Sequence, residues 1–327
     1  MRRFAVTVPI LLVVLLTFAS ATAQSARKMA RIGVLCAPAC NLGPNDAFMD
    51  ELQKLGWIEG TTIAIEWKSP DYHLDRLPAL AADLVRSKPD LIVAFTPPAA
   101  RAAKNATSDI PIVMLFVADP VGMGLASSLA HPGGNLTGVA TFVPGGFSGK
   151  GLEIIRELLP KAKRVAVFIN PANEIHRLLY PKEYPPAVAK FGFQLDLFEL
   201  RDPAELPDAV ATAKARGAEA LSVWSDPLFD FPPKRLPDLA LHAGLPSFSL
   251  FPQFVQAGGL FAYGPDILAL ARRGAHYIDR ILKGAKPSEL PIEQPTKFLL
   301  FLNLKTAKSL GLELPASLLT RADEVIE

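Results

Sequence analysis

Short runs in which nearly every position is apolar and often β-branched alternate along this chain with longer segments whose apolar residues recur at helical spacing. "RIGVL" from Arg31, "LIVAF" from Leu91, "IPIVMLF" from Ile110 and "RVAVFI" from Arg164 are runs of the first kind; "LPALAADLV" from Leu77 and "KGLEIIRELL" from Lys150 are segments of the second. A strand that is apolar at every position is buried on both faces. The alternation therefore predicts parallel sheets covered by helices.

The pattern also repeats. "RIGVLCAPAC" from Arg31 matches "RVAVFINPAN" from Arg164, a buried strand followed by Pro-Ala and a helix start. "LPALAADLVRSKPDLIVAFTPP" from Leu77 matches "LPDAVATAKARGAEALSVWSDP" from Leu206 without a gap and sets Thr96 opposite Ser225, and "IPIVMLF" from Ile110 matches "LPSFSLF" from Leu245. The register drifts by only a few residues across three β-α units, which predicts two similar α/β lobes.

"GGFSGKG", Gly145 to Gly151, lies between the halves and superficially resembles a phosphate-cradling loop. That motif requires glycine where Pro144 stands and serine or threonine where Gly151 stands, and both fail. The segment reads instead as a crossing between lobes, with glycines supplying permissive backbone. "GGLFAYGPD" from Gly258 and "PIEQPTKF" from Pro291 read as two further crossings, back into the first lobe and then into the second.

The N-terminus adds a destination. Met1-Arg2-Arg3, an apolar run from Phe4 to Phe18 and Ala21-Thr22-Ala23 form a secretory signal pattern, with cleavage expected after Ala23 and release into the periplasm. Losing this segment removes two arginines and no acids, so the net charge falls from +2 to 0. A neutral surface argues against a nucleic-acid partner. No later apolar stretch is long enough to span a bilayer. Cys36 and Cys40 are the two cysteines, and the exported compartment leaves open whether they pair or stay free. The five histidines (His73, His131, His176, His242, His276) are in no ligand register, so neither metal nor cofactor is expected.

A family resemblance rests on "ELQKLGWIEG", "DRLPALAADLV", "IPIVMLFVADPVGMGLASSLAHPGGNLTGV", "GGLFAYGPD", "YIDRILKGAKPSELPIEQPTKF", "LNLKTAKSLGLELP" and "RADEVIE". In this order and spacing, from about Ala30 to the C-terminus, they resemble the periplasmic substrate-binding proteins of ABC importers, in the family that includes the tryptophan-type binding proteins. The resemblance implies the type I periplasmic-binding-protein fold: two doubly wound parallel-sheet lobes, three hinge crossings and a ligand in the cleft. With the crossings above, the expected division is a signal peptide at 1–23, a first lobe of 24–142 plus 258–290 and a second of 143–257 plus 291–327. Ser225-Asp226-Pro227 and Pro171-Ala172-Asn173-Glu174 stand where tryptophan-type members resemble D-N-T and E-x-N-S, which places the chain on a divergent branch. An aromatic amino acid is a candidate ligand.

Ligands of open α/β sheets bind beyond the carboxyl ends of the strands, where helix N-termini offer unpaired N–H groups. In the first lobe this selects Thr96 and the amide of Ala99 for a carboxylate, Asp119 for an ammonium, and Asn41 in the exit loop of the first strand. In the second it selects Asn170 and Asn173, whose amides donate and accept, with Ser225, Asp226 and Tyr263. Helix capping is the competing role for Thr96 and Asp119, and turn or cap chemistry for the two asparagines. Trp224, Phe229, Phe251 and Phe261 are either ligand-stacking rings or core, and Trp57 and Trp67 are packing residues.

These expectations describe a monomeric solute receptor without catalytic residues, serving permease and ATPase subunits at the inner membrane. Two alternatives remain at this stage. A secreted α/β enzyme would hide its acids at scattered positions, although Ser148 is not in a nucleophile elbow and no G-x-G-x-x-G follows the first strand. A ligand sensor would pass the same closed state to a signalling partner.

Overall fold

The computed structural model describes residues 29–37, 39–40, 44–144, 146–230 and 232–327; the signal segment and Asn41 lie outside the described residues. The first sheet contains β1 (Ala30–Leu35), β2 (Ile63–Lys68), β3 (Leu91–Phe95), β4 (Ile112–Val117) and β5 (Leu136–Ala140), in the order β2-β1-β3-β4-β5 and parallel throughout. Helices α1 (Pro44–Lys54), α2 (Leu77–Arg86) and α3 (Pro97–Ala106) form its crossovers. Strands β3 and β5 are buried at every position, as their unbroken apolar runs require. Helices α2 and α3 each open on proline in the first turn, where no intrahelical N–H is needed.

The second sheet contains β6 (Arg164–Ile169), β7 (Gln194–Glu199), β8 (Ala220–Val223), β9 (Ser247–Ser249), β10 (Phe261–Pro265), β11 (Phe298–Asn303) and β12 (Glu324–Ile326), ordered β12-β11-β10-β9-β8-β6-β7. Its pairs are parallel except β10 with β11. Helix α4 (Ser148–Leu158) precedes β6, and between these strands run α5 (Glu174–Phe191), α6 (Leu206–Ala215), α7 (Pro227–Asp230), α8 (Arg235–His242), α9 (Pro252–Gln256), α10 (Ile267–Leu282), α11 (Leu304–Ser309) and α12 (Ala316–Arg321). Strands β7-β6-β8-β9-β10 repeat the order β2-β1-β3-β4-β5, so the duplication in the sequence is a duplication of topology.

This equivalence moves the return drawn at Gly258. Strand β10 is the counterpart of β5 and stays in the second sheet, pairing with β9 and β11 while Phe261 stacks on Phe248 at 4.7 Å. The chain leaves only at Asp266, whose side chain caps α10 through the amide of Ala269. Helix α10 then places Leu270, Ala271, Ala275, Tyr277 and Ile278 in the first lobe's apolar cluster with Phe48 and Leu52 of α1. The final crossing also lies later than Pro291, because Ile292 and Glu293 still bond to Leu129 and Gly138 beside β5. The crossing segments lie against one another: Gln294 donates to the carbonyl of Phe142, and Asp266 pairs with Lys297.

Within the "GGFSGKG" segment, Gly151 serves close packing rather than bending. A Cβ there would lie 2.4 Å from the ring of Phe248, so glycine lets α4 settle onto β9.

Candidate functional site

At the exit of β3, Thr96 has φ 79° and ψ 160°, a region that side chains with a Cβ rarely enter. It is held there at three atoms: its N–H donates to the carbonyl of Leu115, its Oγ1 donates to the carbonyl of Ala37 at 3.0 Å, and its carbonyl accepts from Ala100. The hydroxyl therefore ties two strand exits together and makes no cap bond to α3. Cys36 and Cys40 form a disulfide around Ala37, fixing the loop whose carbonyl Thr96 grips. Ala99 is fully buried among the apolar side chains of α2, α3 and the sheet, so its methyl packs the lobe. Phe116, at the end of β4, also has a positive φ, where the register with β5 shifts, and its half-buried ring lies 5.7 Å from that of Phe95. Sequence reasoning missed it, because a phenylalanine in an apolar run carries no polar signal.

In the second lobe one carboxylate gathers two loops. Asp226, 6% exposed, accepts from Asn170 Nδ2 at 3.1 Å and the Leu228 amide at 2.9 Å on Oδ1, and from Asn173 Nδ2 at 2.8 Å on Oδ2. The asparagine oxygens turn back onto their own loop: Asn170 Oδ1 accepts from Ala172, and Asn173 Oδ1 caps α5 through Ile175. Four residues selected in the sequence, Asn170, Asn173, Ser225 and Asp226, are thus brought together.

Two further groups complete this assembly. His176, 2% exposed, accepts the Asn170 amide on Nδ1 and donates from Nε2 to the carbonyl of Ser225 at 3.2 Å. Burial lowers its pKa below the ordinary 6.5, against the opposing charge of Asp226. Ser225 Oγ donates to Asp230 at 2.7 Å, and burial, with the charge of Asp226 adding to it, pushes Asp230 up to about 7 despite that bond. Both imidazole nitrogens are committed to backbone groups, so His176 is not placed to take a proton from Ser225. The chemistry offered is recognition: a carboxylate that accepts from three donors, amide groups and a strand-end floor.

Tyr263 is elsewhere. Its ring stacks on Phe298 at 5.7 Å and lines a recess of about 130 Å³ with Lys150, Ile154, Leu300, Arg321 and Asp323. Trp224 is buried, donating from Nε1 to Tyr184 Oη at 3.0 Å and meeting the His176 ring edge-on at 5.3 Å. Phe229 and Phe261 are core, and Phe251 is half-buried. Trp57 and Trp67 pack in the first lobe, Trp57 with its Nε1 on Asp279.

The lobes meet through α5. Arg101 of α3 bonds Glu174 at 2.7 Å, and Lys182 bonds Asp119 at 3.2 Å. Asp119 also accepts from the amide of Gly122, so its carboxylate is shared between its own turn and the opposite lobe. Between the two ion pairs, Ile175 and Leu178 lie on the first lobe's apolar cluster, and Ala118 reciprocates against the second lobe's. Gly122 is a point of close approach, where a Cβ would stand 2.9 Å from Leu178 and closer still to its own Asp119. The Asn173–Asp226 assembly therefore adjoins the junction, since Asn173 caps the helix that crosses it.

Among the described residues, no three or more His, Cys, Asp or Glu side chains are grouped to hold a metal ion. No helix there is long and apolar enough to cross a membrane.

Residues 38–326 match the family model described as ABC transporter substrate binding protein. The chain is 27% identical over 266 residues to a tyrosine-binding protein of Clostridioides difficile (strain R20291), covering 81% of this chain and 76% of that protein. It superposes with a TM-score of 0.80 and 25% identity on a domain from Streptococcus pneumoniae solved in complex with L-Trp, covering 91% of this chain and 99% of that one. On the ligand-free, open structure of an adhesive substrate binding protein from Clostridium difficile the TM-score is 0.72, at 26% identity and the same coverage of each chain. More distant solved binding proteins, at 12–18% identity, share with it only the type I periplasmic-binding fold.

Proposed function

The chain belongs to the ABC transporter substrate binding protein family, and from that premise we propose that it is the periplasmic receptor of an ABC import system for an aromatic amino acid. The relatives that bind tyrosine and L-Trp support this substrate class. The observation that carries it is the convergence of Asn170 and Asn173 on Asp226, next to the helix on which the two lobes meet. In this reading the ligand ammonium faces Asp226 and its carboxylate faces the Thr96 exit across the cleft. The side chain lies toward Phe116, the half-buried ring at the end of β4. The unit is the pair of lobes divided at the three crossings, exported after removal of residues 1–23.

The mechanism is thermodynamic. A ligand that touches both lobes only when they are closed shifts the open-to-closed population by its differential affinity, and no bond is made or broken. The closed form is then what permease and ATPase subunits receive.

The test is calorimetric titration of refolded, ligand-free protein with L-tryptophan, L-tyrosine, L-phenylalanine and L-leucine, with small-angle scattering on the same samples. Saturable binding of the aromatic amino acids with compaction is expected. Binding of leucine alone would move the substrate class, and binding without compaction would remove the hinged mechanism. Native mass spectrometry of gently purified protein gives the copurified solute by mass, and any turnover of it would revive an enzymatic reading.

A further inference from the structure

We infer that α5 is a rim latch: without ligand it biases the two lobes toward one closed register, and so Arg101, Glu174, Asp119 and Lys182 set affinity from outside the strand-end site. Three observations carry this.

The first is polarity. In the pair Arg101–Glu174 the first lobe supplies the cation, and in Asp119–Lys182 it supplies the anion. Glu174 and Lys182 are eight residues apart on one helix, about 12 Å along its axis. A slip of α5 by that distance sets Glu174 against Asp119 or Lys182 against Arg101, like charge against like. The crossed arrangement therefore favours a single docked register, as complementary charges do between separate proteins.

The second is what lies between the charges. Ile175 and Leu178 are one turn apart and rest on the first lobe's apolar cluster, and Gly122 permits the close approach at Leu178. These contacts are protein against protein, so part of the closing free energy is present in the ligand-free chain.

The third is exposure. The side chains of Arg101, Glu174 and Lys182 are 35%, 47% and 52% exposed, while that of Asp119 is 19% exposed. Pairs this open to solvent contribute modestly and are screened by salt. Two of them together shift the open-to-closed ratio by roughly tenfold. That suits a latch that must also release.

Reversing one charge tests the inference. At low ionic strength the ligand-free wild-type protein is expected to be more compact on average than in about 0.5 M salt, which weakens the solvent-exposed pairs, and ligand is expected to compact it further. Glu174→Arg is expected to be expanded at both, and adding Arg101→Glu to restore compaction. Lys182→Glu is an independent reversal, and cooperative thermal unfolding checks that each variant is folded. Titrated with L-tryptophan and L-tyrosine, the single reversals are expected to bind about tenfold more weakly, and the double swap to recover. The latch is overturned if reversal leaves low-salt scattering unchanged, or if the double swap stays as expanded as the single variant. Only the titration arm rests on the receptor reading. Scattering without ligand answers for the latch alone, and unchanged affinity in a folded reversal variant rejects the latch while leaving the receptor intact.

Discussion

The exits of β3 and β8 occupy the same place in the repeated topology, yet they are fixed by different means. In the first lobe, Thr96 is held in a rare backbone conformation, its hydroxyl on the carbonyl of Ala37 inside the Cys36–Cys40 loop. In the second, Ser225 and Asp226 are wired through side chains to Asn170, Asn173 and Asp230. The first exit depends on covalent and conformational constraint, the second on a buried carboxylate that accepts from two loops. A duplicated scaffold thus conserves where a site lies while leaving free how it is made rigid.

The largest blow to this contrast is Asp226→Ala. It strands the Asn170 and Asn173 amides and the Leu228 N–H with no acceptor, and the expected cost is about 3 kcal/mol with loss of ligand binding. Urea unfolding and calorimetry measure both. Next is Cys36→Ser with Cys40→Ser, expected to cost about 2 kcal/mol by the loop-entropy relation for so short a loop. Because the disulfide frames Ala37, affinity should fall as well. Reductant added to the wild-type protein should reproduce the change, and a loss confined to stability would detach this loop from the site.

Third comes pH. Asp230 is raised from 3.8 to about 7, so the folded state binds a proton that the unfolded chain has released. Stability from this group is therefore greatest below about pH 4 and declines as pH rises to about 7. His176 acts in the opposite sense: with its pKa lowered from 6.5, it costs stability as pH falls below that value. Asp230→Asn should flatten the first limb, raising Tm by about 3 °C at pH 8 and less at pH 4.5; scanning calorimetry at both decides it. The smallest effect is expected of Thr96→Gly, where relief of strain offsets the added chain entropy and the lost hydroxyl tie. Stability should change by less than about 1 kcal/mol while affinity falls severalfold. A larger stability loss would show that the Ala37 bond outweighs the strain.

The duplicated topology was legible because unbroken apolar runs and first-turn prolines are local signals. The early placement of the return at Gly258 has a physical reason: "GGLFAYGPD" reads as an apolar run between glycines whichever sheet receives it, and only its pairing with β9 and β11 decides. Of the candidate site, Asn170, Asn173, Ser225 and Asp226 could be selected because they stand at strand exits, where open α/β sheets bind ligands and where turns and caps also favour polar residues. His176 and Asp230 were not, since a buried histidine and a helical acid acquire their partners only through folding. The same holds for Arg101, Glu174 and Lys182, which look like ordinary solvated helix charges and find partners more than sixty residues away. Helix α5 itself contains Pro181, Pro185 and Pro186. All three lie on its exposed face, where water satisfies the carbonyls they leave unbonded.

Helix α10 has a consequence for the nascent polypeptide. Synthesis and export deliver the chain N-terminus first, but the side chains that finish the first lobe, Leu270 to Ile278, are encoded after nearly all of the second. Until they emerge, Phe48 and Leu52 lack their cover, and the earliest-made half is the one that must wait, greasy and unfinished, for a helix made after five strands of the second sheet.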